Sequence, residues 1–581
     1  MMRSAFRSLV LRTLVSMAAF AAGSGFSGGA GAVEPPDPPA AAAPAAMPAD
    51  AEAQAEARAV AIAKRLAAPG PLVIDGQVLR NLDTLRQTYA RRGFVPTWTE
   101  AAGGGVRPVA AVPAMRAAFA ESAADGLEPT HYHMTAITAR LVAADPAGIA
   151  ELDLLLTDAV VEYAVDLRGG RLAPRSIDPE MAIVPRPIDP VRLALDAMAT
   201  PDMSRFLAGF TPPHPEYAAL KRALALLRDK ARAGGWPLPG PGPVLKLGMD
   251  DPNVPLVRRR LAATGDYAGP RTDQTRYDDA LATAVRHFQH RHGLDLDGSV
   301  GVATRVALNI PVERRIEQVV ANMERWRWLP DDLGDRYVWV NIPAFVLHAV
   351  DHGKVVLSMP VIVGQTERHT PMLASRIGQV VFNPTWAVPL SIAKKDILPK
   401  LARNPHYLSD QGITVTETVD GVTRTINPGA VDWRRIGDRM TRYRLRQQPG
   451  PRNALGRVKF LFPNDFNVYL HDTPGRDKFS KVVRTLSSGC VRLGSPSALA
   501  DFVFAGRPDW TAGRWQQLMD AGETRSLTPQ RPVPVYLFYQ TAWLDETGAF
   551  QFREDIYDRD QQVLNALHKR LPQPQRVAVL P

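Results

Sequence analysis

One cysteine, Cys490, stands in the 581 residues of the chain. It follows the serine–glycine turn Ser487-Ser488-Gly489 and precedes Val491-Arg492. Upstream, His471 ends the apolar, β-prone run Phe466-Asn467-Val468-Tyr469-Leu470. These types in this order suit a cysteine nucleophile with a histidine base. A thiolate attacks and a thiol does not, so a working cysteine needs a partner that removes or balances its proton. A histidine at a strand end and a cysteine on a loop can be brought together. Ser-Ser-Gly lets the backbone turn tightly and aim N–H groups, Gly489's among them, at one point, as an oxyanion hole requires. Arg492 adds a fixed positive charge suited to a substrate carboxylate. The competing reading is an inert core thiol, since free cysteine is among the most buried residue types.

The N-terminus bears on that choice. Residues 1–32 read as a secretory signal, with Arg3, Arg7 and Arg12, an apolar stretch from Leu14 to Ala22, and the small-x-small site Ala30-Gly31-Ala32. No later stretch reaches about 18 uninterrupted apolar residues, so no stable membrane span is expected after cleavage. An unpaired cysteine in an exported chain points to a reactive role or an intermolecular bridge, which shifts the balance toward the nucleophile. A single cysteine also excludes an intrachain disulfide, multi-cysteine zinc sites and iron–sulfur clusters. Apolar content of 45% and charged content of 22% are ordinary globular values. The formal charge of +10 fits an anionic polymer partner. The chain has no basic tail, zinc-finger spacing or ribonucleoprotein aromatic motif, which argues against nucleic acid.

The elements that must position the pair form a multidomain α+β chain. Residues 33–57, rich in Pro and Ala, read as an extended tether. Residues 58–240 are helical in pattern: Leu79, Leu82, Leu85 and Tyr89 recur at three- and four-residue steps, and a run from Leu152 to Leu167 stops at Gly169-Gly170. This region reads as a scaffold poor in site residues, with His131 and His133 at the surface. The Pro/Gly segment from Trp236 to Pro243 is a boundary. Residues 244–311 read as three short helices, with His287, His290 and His292 as solvated positions. A connector helix occupies 312–335, where Trp326 and Trp328 are packing residues. From Tyr337 the period changes to strands, which run to a terminal helix ending near 570. An inserted cap at about 390–450 interrupts them. It holds solvated Lys394, Lys395 and Asp396, a hairpin turning at Asp420-Gly421, and a basic run (Arg434, Arg435, Arg439, Arg442, Arg444, Arg446) available for recognition.

Two segments resemble known families. Residues 244–311 look like the three-helix peptidoglycan-binding domain, on Ala284-Val285, Phe288-Gln289, Gly293-Leu294, Asp297-Gly298, Gly301, Thr304 and Leu308. Residues 336–570 resemble the YkuD-type L,D-transpeptidase catalytic domain, a mainly β, sandwich-like fold with a cap. The whole architecture is similar to the large YcbB-type enzymes. The carriers are Asn383-Pro384-Thr385-Trp386 with Pro389, Tyr469-Leu470-His471-Asp472-Thr473-Pro474, Ser487-Ser488-Gly489-Cys490-Val491-Arg492, Thr541-Ala542-Trp543, and Arg553 to Tyr557. Ser488 stands where the wider family often has histidine, so only His471 is available as base.

The resemblance implies acyl transfer between peptidoglycan stem peptides, giving 3→3 cross-links in a periplasm, with no metal and no organic cofactor. Cys490 is the implied nucleophile, His471 the base and acid, Gly489 an oxyanion donor and Asp472 an orienter. Arg492, Ser488, Trp386, Tyr469 and Asn383 are the implied substrate contacts, and stem peptides, glycan and wall synthases or carboxypeptidases the partners. The alternatives are an L,D-carboxypeptidase, attachment of wall to an outer-membrane protein, and a non-catalytic wall-binding protein.

Overall fold

The computed structural model describes residues 49–102, 105–142, 145–270, 273–404 and 406–569. The expected signal, 1–32, and most of the tether lie outside the described residues. Residues 49–57 are the start of a helix, Ala49–Ala67, and not extended chain, because Ala, Glu, Gln and Arg are strong helix formers. Among the described residues no helix is long and apolar enough to cross a membrane.

One compact unit comprises residues up to 123 together with 128–165 and 188–210. Its helices pack around buried acids. Asp153 accepts hydrogen bonds from the Thr97 and Trp98 N–H groups and from the Tyr89 hydroxyl. His131 and His133, expected at the surface, are buried here, and His133 Nε2 lies 2.7 Å from the Asp158 carboxylate. An alternating His-x-His pattern does not reveal that each ring has a place in the core.

The second unit comprises 124–127, 166–187 and 211 onward. Within it, helices Val254–Ala263, Asp279–His292 and Val302–Leu308 enclose a core of their own. The motif residues there form a hydrogen-bonded knot. The Gln289 amide donates to Asp297, Ser299 O and Thr304, and its oxygen accepts from Gly298 N. His287 and His290 are exposed as expected, whereas His292 is buried and stacks on Phe288. Helix Val312–Trp326 follows and buries Trp326 against Trp339, ring centroids 5.4 Å apart.

The β body is one curled sheet of eleven strands. They are β1 (Arg336–Asn341), β2 (Val346–Asp351), β3 (Lys354–Gly364), β4 (Leu373–Ile377), β5 (Gln379–Phe382), β6 (Val458–Leu461), β7 (Leu470–His471), β8 (Thr485–Ser487), β9 (Val491–Leu493), β10 (Arg525–Leu527) and β11 (Val533–Phe538). The order is β10-β5-β6-β7-β9-β3-β2-β1-β11-β4, with β8 beside the end of β3. The sandwich-like form comes from β3. It is long enough to pair with β2 along its first part and with β9 and β8 along its last. The apolar residues of both halves make one core.

The cap is a four-stranded sheet of Trp386–Ala387, Tyr443–Gln447, Ile413–Val419 and Val422–Ile426. Its hairpin turns at Asp420 and Gly421, both at positive φ, as a two-residue turn between twisted strands requires. The cap has a separate small core that includes Ile397, Leu401, Val415, Trp433 and Leu445.

Candidate active site

Register brings the chemistry together. β7 pairs in parallel with β9, setting His471 beside Arg492, and antiparallel with β6, setting His471 beside Lys459. Lys459, His471 and Arg492 thus form one rung across three strands, and paired residues share a face of the sheet. Cys490 immediately precedes β9, on the turn that enters it. All four line one cavity of about 990 Å³, roofed by cap residues that include Trp386 and Lys395.

The turn before Cys490 is pinned from both ends by Ser487. Its hydroxyl donates to Cys490 O at 2.6 Å and accepts from Gly489 N at 3.2 Å. Gly489 sits at φ +111°, a conformation an L side chain rarely adopts. The segment after β3 packs on this turn. Thr370 donates its hydroxyl to Gly489 O, and Gln365 N donates to Ser487 O. That segment is tightly folded, since a Cβ on Gly364 would lie 2.1 Å from the Arg368 carbonyl.

His471 is buried, and its Nδ1 lies 2.5 Å from the Asp472 carbonyl. A carbonyl only accepts, so Nδ1 carries the hydrogen and Nε2 keeps its lone pair. Burial, with Arg492 and then Lys459 adding to it, pulls the imidazole down to about 3. Burial pushes the Cys490 thiol up to about 11, although the Tyr469 N–H and Arg492 favour the thiolate. At rest Cys490 is therefore a thiol and His471 a neutral imidazole, both on the lining of one cavity. Among the described residues neither Lys459 nor Arg492 has a carboxylate partner, and Arg492 Nε is buried without a hydrogen bond. Burial lowers the pKa of both cations, the direction expected when a charge is desolvated without compensation.

Residues 335–508 match the family model of the L,D-transpeptidase catalytic domain, 83–224 a scaffold domain, and 250–308 a model described as "Putative peptidoglycan binding domain". The chain carries an L,D-transpeptidase catalytic domain. A Haemophilus influenzae protein named "Putative L,D-transpeptidase" is 35% identical over 252 residues, covering 43% of this chain and 50% of that protein. The chain thus spans half the length of the curated relative it matches. Among solved structures, an L,D-transpeptidase from Xylanimonas cellulosilytica (residues 123-326) is 16% identical, covers 52% of this chain and all of its own, and has a TM-score of 0.16. One from Stackebrandtia nassauensis is 14% identical, covers 50% of this chain and 94% of its own, with a TM-score of 0.21. Values this low carry no inference.

Within the L,D-transpeptidase domain the structure gathers some of the expected residues and displaces others. Cys490, His471, Gly489, Arg492, Ser488, Tyr469 and Trp386 all line the cavity. Asn383 does not. It is buried and its amide donates to Leu518 O and Glu523 O, tying the end of β5 to the helix Arg514–Ala521 and the turn that follows it. Asp472 orients His471 through its backbone carbonyl alone. Its carboxylate accepts from Arg457 N, Thr473 N and Arg476 on the far side. The Gly489 N–H is engaged by Ser487, so it is not a free oxyanion donor in this state.

The cap's arginine run is exposed and lies outside the cavity wall, which takes Lys395, Lys400 and Arg452 from the cap instead. Asp396, expected in solvent, pairs with both terminal nitrogens of Arg368, whose Nη1 also donates to Ser488. Among the cavity residues not found from sequence are Lys459, Arg368, His369 and Glu180. Alternation along β6 marks Lys459 as facing away from the apolar set. No local signal exists for Glu180.

Proposed function

We propose that this protein is a peptidoglycan L,D-transpeptidase that joins stem peptides 3→3 through a Cys490 acyl-enzyme. One observation carries the reading: Cys490 and His471 line one cavity together with two cations, Lys459 and Arg492, that lack carboxylate partners among the described residues. A donor stem peptide is rich in carboxylates, and desolvated cations bind them strongly.

Cys490 attacks the carbonyl that joins the L-centre of diaminopimelate to the following D-Ala. His471 Nε2 takes the thiol proton as the C–S bond forms and returns it to the departing amine. The oxyanion is met by the Cys490 N–H, aimed by the Gly489 turn, a contribution of about 3–4 kcal/mol per donor. D-Ala leaves and a thioester remains. The side-chain amine of a second diaminopimelate resolves it. Residues 244–311 hold the glycan or stem, and the reaction takes place in the periplasm.

The test is mass spectrometry of the protein and its Cys490→Ala variant with disaccharide-tetrapeptide. A 3→3 dimer with free D-Ala, absent in the variant, supports the proposal. Tripeptide monomer alone makes the protein an L,D-carboxypeptidase. No reaction, with the thiol accessible, leaves wall binding as its role.

A further inference from the structure

The cavity has a second wall of opposite character, built from a part of the chain far from the catalytic motif. Residues 180–182 lie beside Met372, with Met181 bridged to it in parallel. Met372 N donates to Glu180 O, and Ala182 N to Met372 O, each at 2.8 Å. This strap brings the Glu180 carboxylate to 3.0 Å from His369 Nδ1. Glu180 and His369 both line the cavity that holds Cys490. His369 stacks on Tyr557 at 4.2 Å, and its carbonyl packs against Gly489. Its ring is thus fixed, with Nδ1 committed to Glu180 and Nε2 left for the cavity.

We propose that Glu180 and His369 form the acceptor side of the site, binding the incoming ammonium and taking the proton it must lose before attack. This rests on the transpeptidase reading above. An amine of ordinary pKa near 10 arrives protonated at neutral pH and has no lone pair to attack with. His471 is poorly placed to receive that cation, because it sits between Lys459 and Arg492. The groups facing His369 are Asp178 and Glu180 on the strap, Tyr557, and Arg559 from the terminal helix. The Arg559 guanidinium lies 3.5 Å from Asp178 and 3.3 Å from Glu180. Two carboxylates against one guanidinium leave one negative charge uncompensated, which matches one ammonium. The donor atoms of Asp178, Glu180 and His369 lie within 4.8 Å of one another. Arg559 already engages both carboxylates, so the cluster suits a monocation better than a divalent metal. Glu180 is also held below the usual carboxylate range, chiefly by its bond to His369, and so is ionised when the ammonium arrives.

The ammonium gives one proton to His369 Nε2. The free amine attacks the thioester carbon; the C–N bond forms and the C–S bond breaks. The second N–H proton passes through His471 to the Cys490 sulfur. The imidazolium, stabilised by Glu180, then releases its proton to water.

The experiment separates the two half-reactions in the full chain and in its Glu180→Gln and His369→Gln variants. Acylation is read by mass spectrometry with a tetrapeptide whose side-chain amine is acetylated, so that it serves only as donor. Cross-linking is read with a free-amine tripeptide acceptor. The expected result is acyl-enzyme formation within about threefold of wild type, which also shows that the variants fold. Dimer formation at pH 7 should fall by about 10²–10⁴ in His369→Gln, as for loss of a general base, and recover as the pH approaches 10. Unchanged cross-linking, an equal fall in acylation, or no recovery at high pH overturns the proposal. So does cross-linking that follows added Zn²⁺ and is lost with chelator. Absence of any acyl-enzyme in the wild type instead removes the transpeptidase reading itself.

Discussion

Replacing His471 by asparagine should leave the resting reactivity of Cys490 nearly unchanged while removing most of its reaction with substrate. Burial holds the thiol up to about 11 and the imidazole down to about 3. At pH 7 neither is charged, and an uncharged ring adds little to thiolate stability. Against a free cysteine near 8.5, a thiol near 11 has about 300-fold less thiolate at pH 7. Iodoacetamide labelling should therefore be about two orders of magnitude slower than for a small thiol, rising about tenfold per pH unit to pH 10, in both proteins. Acylation is different. The proton must leave as the C–S bond forms, and a positioned base is worth about 10²–10⁴ in rate. The assay is labelling followed by intact mass across pH 5–10, beside acyl-enzyme formation from the donor peptide. A wild-type midpoint below 8.5 that rises by more than one unit in His471→Asn would refute the reasoning. It would mean that the resting site is a thiolate–imidazolium pair.

Three further outcomes are expected. Arg492→Gln should lower kcat/KM for the tetrapeptide by about 10–100-fold, the value of a charge-assisted hydrogen bond, with a smaller effect on a donor amidated at its C-terminus. Acid stability should depend on His471. The folded state refuses a proton that the unfolded state binds near pH 6.5, so this stability is complete above that pH and lost as pH falls toward 3, by roughly 4–5 kcal/mol. Thermal melts of His471→Asn should show a flatter acid limb. Asp396→Asn breaks the tie between Arg368 and the cap, a partly exposed pair worth about 0.5–1 kcal/mol. It should speed hydrogen exchange in 390–401 without lowering Tm measurably.

Cys490 and His471 were legible as a candidate pair because the proposed chemistry is carried by residue type and their loop and strand lie close in sequence, and the structure sets both on one cavity. The three-helix domain was legible from its turn residues, and the Gln289 knot shows why Asp297, Gly298 and Thr304 recur with that glutamine. The cap hairpin was announced by Asp420-Gly421. What failed was anything decided by a partner strand. Lys459 reads as one polar position in β6 until register sets it beside His471. Asn383 reads from sequence as a substrate contact, because sequence does not say that its amide has two backbone carbonyls to satisfy. The cap arginines are exposed and lie outside the cavity wall, a placement that sequence alone does not give.

Glu180 marks the limit of such reading most clearly. It lies 189 positions from His369, in a region that composition identifies only as helical support. Its approach depends on two backbone hydrogen bonds to Met372, which any sequence of suitable extended propensity can make. Yet the result gives the cavity a sense. Cations stand on the Lys459–His471–Arg492 rung, acids stand on the strap, and Cys490 lies in the same cavity. A donor that presents carboxylates and an acceptor that presents an ammonium are sorted to different walls by charge alone, before any shape is read.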